Sequence, residues 1–122
     1  MQEFLLVFRR DFSSGKTQVS PEAMQAMLKP WQDWMNSLNK QDKLVSAGNR
    51  LVPDGLVVRS KELVTDGPYV DTKEAIGGYL IVRAASIEAA AELAKGCPIL
   101  DGAGNVEVRA ILGSGKAFLE EA

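Results

Sequence analysis

The sequence predicts an α+β fold of ferredoxin-like type, a βαββαβ sandwich in which two helices cover one face of an antiparallel sheet. Three observations predict it. Strand-like runs open and close the 122-residue chain, two helix-like runs lie between them, and two of the strands are apolar on both sides. The length suits one domain with one core.

Residues 3–9 form the first strand, with Phe4, Leu6 and Phe8 on one face and Leu5 and Val7 on the other. Both faces are apolar, so both require cover. The polar, Gly-containing stretch 11–17 is a loop. Ser20-Pro21-Glu22 then announces a helix: Ser20 suits the cap, Pro21 the first turn, and Glu22 the positive end of the dipole. Met24, Met27, Leu28, Trp31, Met35 and Leu38 follow as a stripe at helical spacing, and Trp31, Trp34 and Met35 read as core. Pro30 lies inside that stripe and predicts a kink, or a split near residue 29.

Residues 43–52 read as a weak strand interrupted by Ala47-Gly48-Asn49. Pro53-Asp54-Gly55 is a turn, residues 56–59 a further strand, and residues 62–77 a dense loop closing in Gly77-Gly78. Residues 79–83 are a strong strand. A second helix over about 87–95, capped by Ser86, buries Ile87, Ala90, Ala91 and Ala94, with Leu93 at the border, and Gly96 and Pro98 end it. Residues 105–112 form the last strand, with Val106, Val108 and Ala110 on one face and Glu107, Arg109 and Ile111 on the other. The segment 113–122 is a loose or short helical tail.

Composition excludes much. With 46% hydrophobic and 25% charged residues the chain is globular. A net charge of −2, with both signs interspersed, offers no basic stripe for nucleic acid, so no direct nucleic-acid partner is expected. The apolar run at the N-terminus precedes its charges and reads as a strand rather than a signal peptide, and no apolar run approaches the about 20 residues that span a bilayer. The expected compartment is the cytoplasm, with no membrane partner. Cys97 is the single cysteine, so no intramolecular disulfide and no multi-cysteine metal site is expected. The chain has no histidine. Histidine-activated nucleophiles, imidazole acid–base catalysis and His-ligated zinc are thereby excluded. No cofactor motif is present, since no helix N-terminus follows Gly48 or Gly77-Gly78.

The run Asp66-Gly67-Pro68-Tyr69-Val70-Asp71-Thr72-Lys73-Glu74-Ala75-Ile76-Gly77-Gly78-Tyr79 resembles the signature of the YCII-related family in its DGPF-motif branch. The helix bearing Trp31 and Trp34, residues 48–53, the helix entry at Ser86 and Glu107-Val108-Arg109 resemble other family features, so the likeness spans nearly the whole chain. It implies a single YCII-related domain over 1–122, with a ferredoxin-like fold that pairs into a dimeric α+β barrel. Tyr69 stands where the motif has Phe, and Ala110 where a Pro closes the last strand. The His–Asp pair proposed for the broader family would fall near Trp31 and at about Cys97-Pro98. The chain has no histidine, and Asp101 is out of register, so no catalytic residue is carried over.

Six residues are candidates for a ligand site: Asp66, Tyr69, Lys73, Arg83, Glu107 and Arg109. Asp66-Gly67-Pro68 fits either a plain turn or a carboxylate at a cleft mouth. Lys73, held between Asp71 and Glu74, would keep a high pKa, which suits anion binding or a solvated loop better than Schiff-base chemistry. Glu107 and Arg109 read as an interfacial charge pair or as groups orienting a carboxylate between sheets. Cys97 reads as a buried thiol whose pKa a helix C-terminus would raise.

The double-sided apolarity of the first strand and of 79–83 predicts a homodimer packed sheet to sheet. Two functions are consistent with this. One is binding of a small polar or anionic molecule in a cleft between the sheets, with lyase-, isomerase- or dehydrohalogenase-like chemistry as fold-level analogy. The other is a non-catalytic accessory role in transcription initiation with a sigma factor or other protein partner, which the DGPF resemblance implies.

Overall fold

Side-chain alternation along the first strand sets up the molecule. The computed structural model describes residues 1–10, 21–67, 75–113 and 115–119. In β1 (Gln2–Arg10), Phe4, Leu6 and Phe8 point to the core and are buried, while Leu5 and Val7 point to the opposite, outer face. β1 pairs antiparallel with β5 (Ala75–Ala84) on one side and with β6 (Asn105–Ala110) on the other. β2 (Leu44–Arg50) pairs with β5 and forms the second edge. The resulting order, β2-β5-β1-β6, is that of a ferredoxin-like sheet, and the two strands that are apolar on both faces are its centre.

Helices α1 (Pro21–Lys40) and α2 (Ile87–Ala94) close the core side. Trp34 and Leu38 from α1 and Ala90 and Ala94 from α2 join Phe4, Leu6, Phe8, Leu80 and Val82 in one buried cluster. Full burial of a leucine or phenylalanine there stabilises the fold by about 1.5–3 kcal/mol. Ser86 caps α2 as the sequence predicts, its hydroxyl accepting from the Ala89 amide at 3.1 Å. Ile87, expected on the buried side, is exposed, because it occupies the first turn beyond the reach of the sheet while Ala90 and Ala94 make the contact.

Three further expectations are corrected. The helix does not split at Pro30: α1 runs unbroken through it. Pro30 is exposed, and Trp31, Trp34 and Leu38 hold the following turns against the core, which outweighs one lost backbone bond. The stretch 47–49 does not interrupt β2 but bends it, with register shifts on both sides of Ser46. Gly48 has φ +63°, and a Cβ there would collide with the carbonyl oxygen of Tyr79, so only glycine lets β2 lie this close to β5. Finally, residues 56–59 do not join the main sheet. They belong to β3 (Gly55–Ser60), which forms a separate hairpin with β4 (Leu63–Gly67), a strand lying in the segment expected to be loop. The polar residues of that segment masked the short Leu63-Val64-Thr65 run.

A 3-10 turn (Pro98–Asp101) links α2 to β6, and another (Gly115–Phe118) follows β6. Leu112 and Phe118 are exposed, so neither packs onto the outer face.

Candidate functional site

A cavity of about 720 Å³ opens between α1 and the core side of the sheet. Its helical wall is Met27, Leu28, Trp31 and Met35, one stripe of α1. Phe8 and Leu80 come from the central strands, and Pro98 and Ile99 from the turn after α2. Five glycines also line it: Gly48 on β2, Gly77 and Gly78 on β5, and Gly102 and Gly104 before β6. Gly77 and Gly78 are buried, and a Cβ on Gly78 would stand 2.9 Å from the Asn49 carbonyl oxygen. At Gly78, as at Gly48, glycine lets the backbones of β2 and β5 lie close together at the cavity's edge.

The aromatic wall is rigid. Phe8 meets Trp31 and Trp34 edge-on, with centroids 5.1 and 6.1 Å away, and the two indoles are 5.9 Å apart. Trp34 is buried and donates its Nε1–H to the Leu93 carbonyl at 3.1 Å. Trp31 is half-exposed, and its Nε1 has no hydrogen-bond partner among the described residues. The described lining includes Arg10, Arg50 and Gln32 but no carboxylate and no lysine. The arrangement suits an apolar, planar body carrying negative charge.

The residues singled out from sequence lie elsewhere. Glu107 and Arg109 do face away from the helices, as the cross-strand neighbours of Val7 and Leu5 on the outer face. Arg9 joins them: Glu107 accepts from Arg9 at 2.9 Å and from Arg109 at 3.3 Å. The Arg9 hydrogen bond, and then that of Arg109, holds the Glu107 carboxyl below the usual glutamate value. Arg83 shares this face across β1, opposite Glu3, and its Nε is buried without a hydrogen-bond partner. Asp66 is not among them; it sits exposed on the β3–β4 hairpin, opposite Leu56. Tyr69 and Lys73 lie outside the described residues.

Cys97 is buried, and its thiol is pushed up to about 11, chiefly by burial. The helix terminus expected to do this is not the main cause. Such a thiol is inert at neutral pH. Among the described residues no cluster of His, Cys, Asp and Glu could hold a metal ion, and no helix is long and apolar enough to cross a membrane.

Sequence reasoning assigned Trp31 and Met35 to the core and so missed the cavity. The available signal was the glycines Gly48, Gly77 and Gly78 on the strands that border it. A family model described as YCII-related domain matches residues 11–113, which is most of the chain, and the protein belongs to that family. No curated protein matches the sequence.

Proposed function

We propose that this member of the YCII-related family binds a small molecule, apolar in body and anionic at one end, in the cavity beneath α1. The observation that carries this is the cavity itself: it has the volume of a ligand site, an aromatic wall and the cationic Arg50 in its described lining. Its position adds support, since Trp31 and Pro98 border it where the resemblance would put the family's His–Asp pair. With no histidine in the chain, the site can hold a ligand but lacks an imidazole to move its protons. The outer-face group is the weaker candidate for a small anion, because Glu107 already engages two arginines and would repel a second carboxylate. The run from Asp66 to Tyr79 supports placing the chain in the DGPF-motif branch. The half-buried Leu5 and Ile81 beside Val7 and Tyr79 support a homodimer with the outer faces inward.

Calorimetry with 1-naphthoate and 1-naphthylmethylamine tests the site. The carboxylate should bind at least about tenfold more tightly than the amine, a difference of about 1.4 kcal/mol. Leu28→Trp, which fills the cavity from α1, should abolish binding while leaving the melting temperature near that of the parent. Equal affinity for the two probes, or binding unaffected by Leu28→Trp, would rule the cavity out as an anion site.

The second function, an accessory protein of transcription initiation, draws support from the exposed aliphatic β3–β4 hairpin, which offers a surface to a protein partner. Recovery of a sigma factor with the tagged chain, lost on Val58→Asp, would favour it.

A further inference from the structure

The β3–β4 hairpin is out of keeping with the rest of the chain. Cross-strand pairing puts Leu56 with Asp66 and Val58 with Val64 on one of its faces, and Val57 with Thr65 on the other. Leu56 and Val58 are each 72% exposed and Val64 53%. A two-stranded ribbon is marginal alone, and one whose larger aliphatics face water needs a surface to lie on.

Charge and symmetry identify that surface. The outer face of the sheet carries Arg9, Arg83 and Arg109, with Glu107 held by Arg9 and Arg109. Arg83 has a buried Nε with no hydrogen-bond partner, and Leu5 and Ile81 beside it are apolar. The hairpin's exposed face is the complement, three aliphatics and one acid. Within one chain the two are kept apart. The connection carrying the hairpin joins β5 at Ala75, opposite Arg10, whereas Arg83 and Arg109 lie toward the other end of the sheet, opposite Glu3 and Leu5. β1 spans nine residues, or about 30 Å. When two sheets meet face to face about a twofold axis perpendicular to their strands, the Arg10 end of each lies over the Gln2 end of the other.

We propose that the β3–β4 hairpin is an arm that lies on the outer sheet face of a second copy of this chain, with Asp66 against that copy's Arg83 and Arg109. This rests on the homodimer reading above and adds the part that fixes its geometry. The contact is isologous, so each dimer has two such arms.

Two experiments on the full chain test it. Asp66→Cys and Arg83→Cys, each combined with Cys97→Ala, are purified separately, mixed and oxidised with copper phenanthroline. A disulfide-linked dimer should form in the mixture and not in either variant alone. In sedimentation equilibrium, Asp66→Arg should weaken the dimer at least about tenfold, and Arg83→Asp added to it should restore most of that loss. A parent dimer that neither cross-links in the mixture nor responds to Asp66→Arg overturns the arm while leaving the homodimer intact. A parent chain that stays monomeric at high micromolar concentration overturns both.

Discussion

The two sides of β1 carry similar side chains and meet different fates. Toward the helices, Phe4, Leu6 and Phe8 are sealed by α1 and α2. One residue out of phase, Leu5 is only half-buried, while Val7, 8% exposed, lies between Tyr79 and Glu107 on the neighbouring strands. The core side is completed by the chain that made it. The outer side carries a charge group of two arginines around one glutamate, and neither helix covers it. Hydrophobic alternation thus states that both faces seek cover, but not who supplies it.

Truncation breaks that comparison most strongly. Leu6→Ala should lower the unfolding free energy by about 2–5 kcal/mol in urea titration, because the gap lies in a packed interior. Leu5→Ala, on the same strand, should cost about 1 kcal/mol or less at low protein concentration. If the two are equal, the outer face is a second core and not an interaction surface.

Cys97 gives the next largest contrast. Its thiol value is raised from 9.0 to about 11, so its contribution to stability is present below the unfolded value and is lost as pH rises through about 11. At pH 8 the folded protein should react with iodoacetamide at least about 100-fold more slowly than the urea-unfolded chain, the thiolate fraction alone accounting for that factor.

The outer face gives the smallest effect, with the opposite sign. The Glu107 carboxyl is held below its ordinary value by Arg9 and Arg109, so its contribution is present above that ordinary value, 4.5, and disappears as pH falls through the lower, folded value. Glu107→Gln should flatten the acid limb of a urea-midpoint profile and leave the alkaline limb unchanged. An unchanged acid limb would mean that the group is solvent-screened to nothing.

Much of the sheet was legible because its signals are local. Apolar runs marked β1 and β5, alternation marked β6, and Ser86 with Gly96-Cys97-Pro98 bracketed α2. The β3–β4 pairing was not legible, since Leu63-Val64-Thr65 is short and Asp66-Gly67 reads as a turn. The candidate site was legible only in part. Glu107 and Arg109 were placed together correctly by strand period, whereas the cavity escaped because a cavity is made by missing atoms. Trp31 and Met35 carry the same helical spacing whether they touch a neighbour or border a void. Pro30 misled for a related reason: its local penalty is fixed by chemistry, while the packing of Trp34 and Leu38 that overrides it is decided by partners far along the chain.

The insertion of the β3–β4 hairpin between two neighbouring strands has a consequence for how such a protein can diversify. β2 and β5 lie side by side, yet the chain between Arg50 and Ala75 leaves the sheet and returns, so their alignment owes nothing to a tight turn and is held by the Gly48 bend. Residues there can be lengthened, recoloured in charge or exchanged wholesale at little risk to the sheet. New recognition can be acquired at that position while the four-stranded sheet stays as it is.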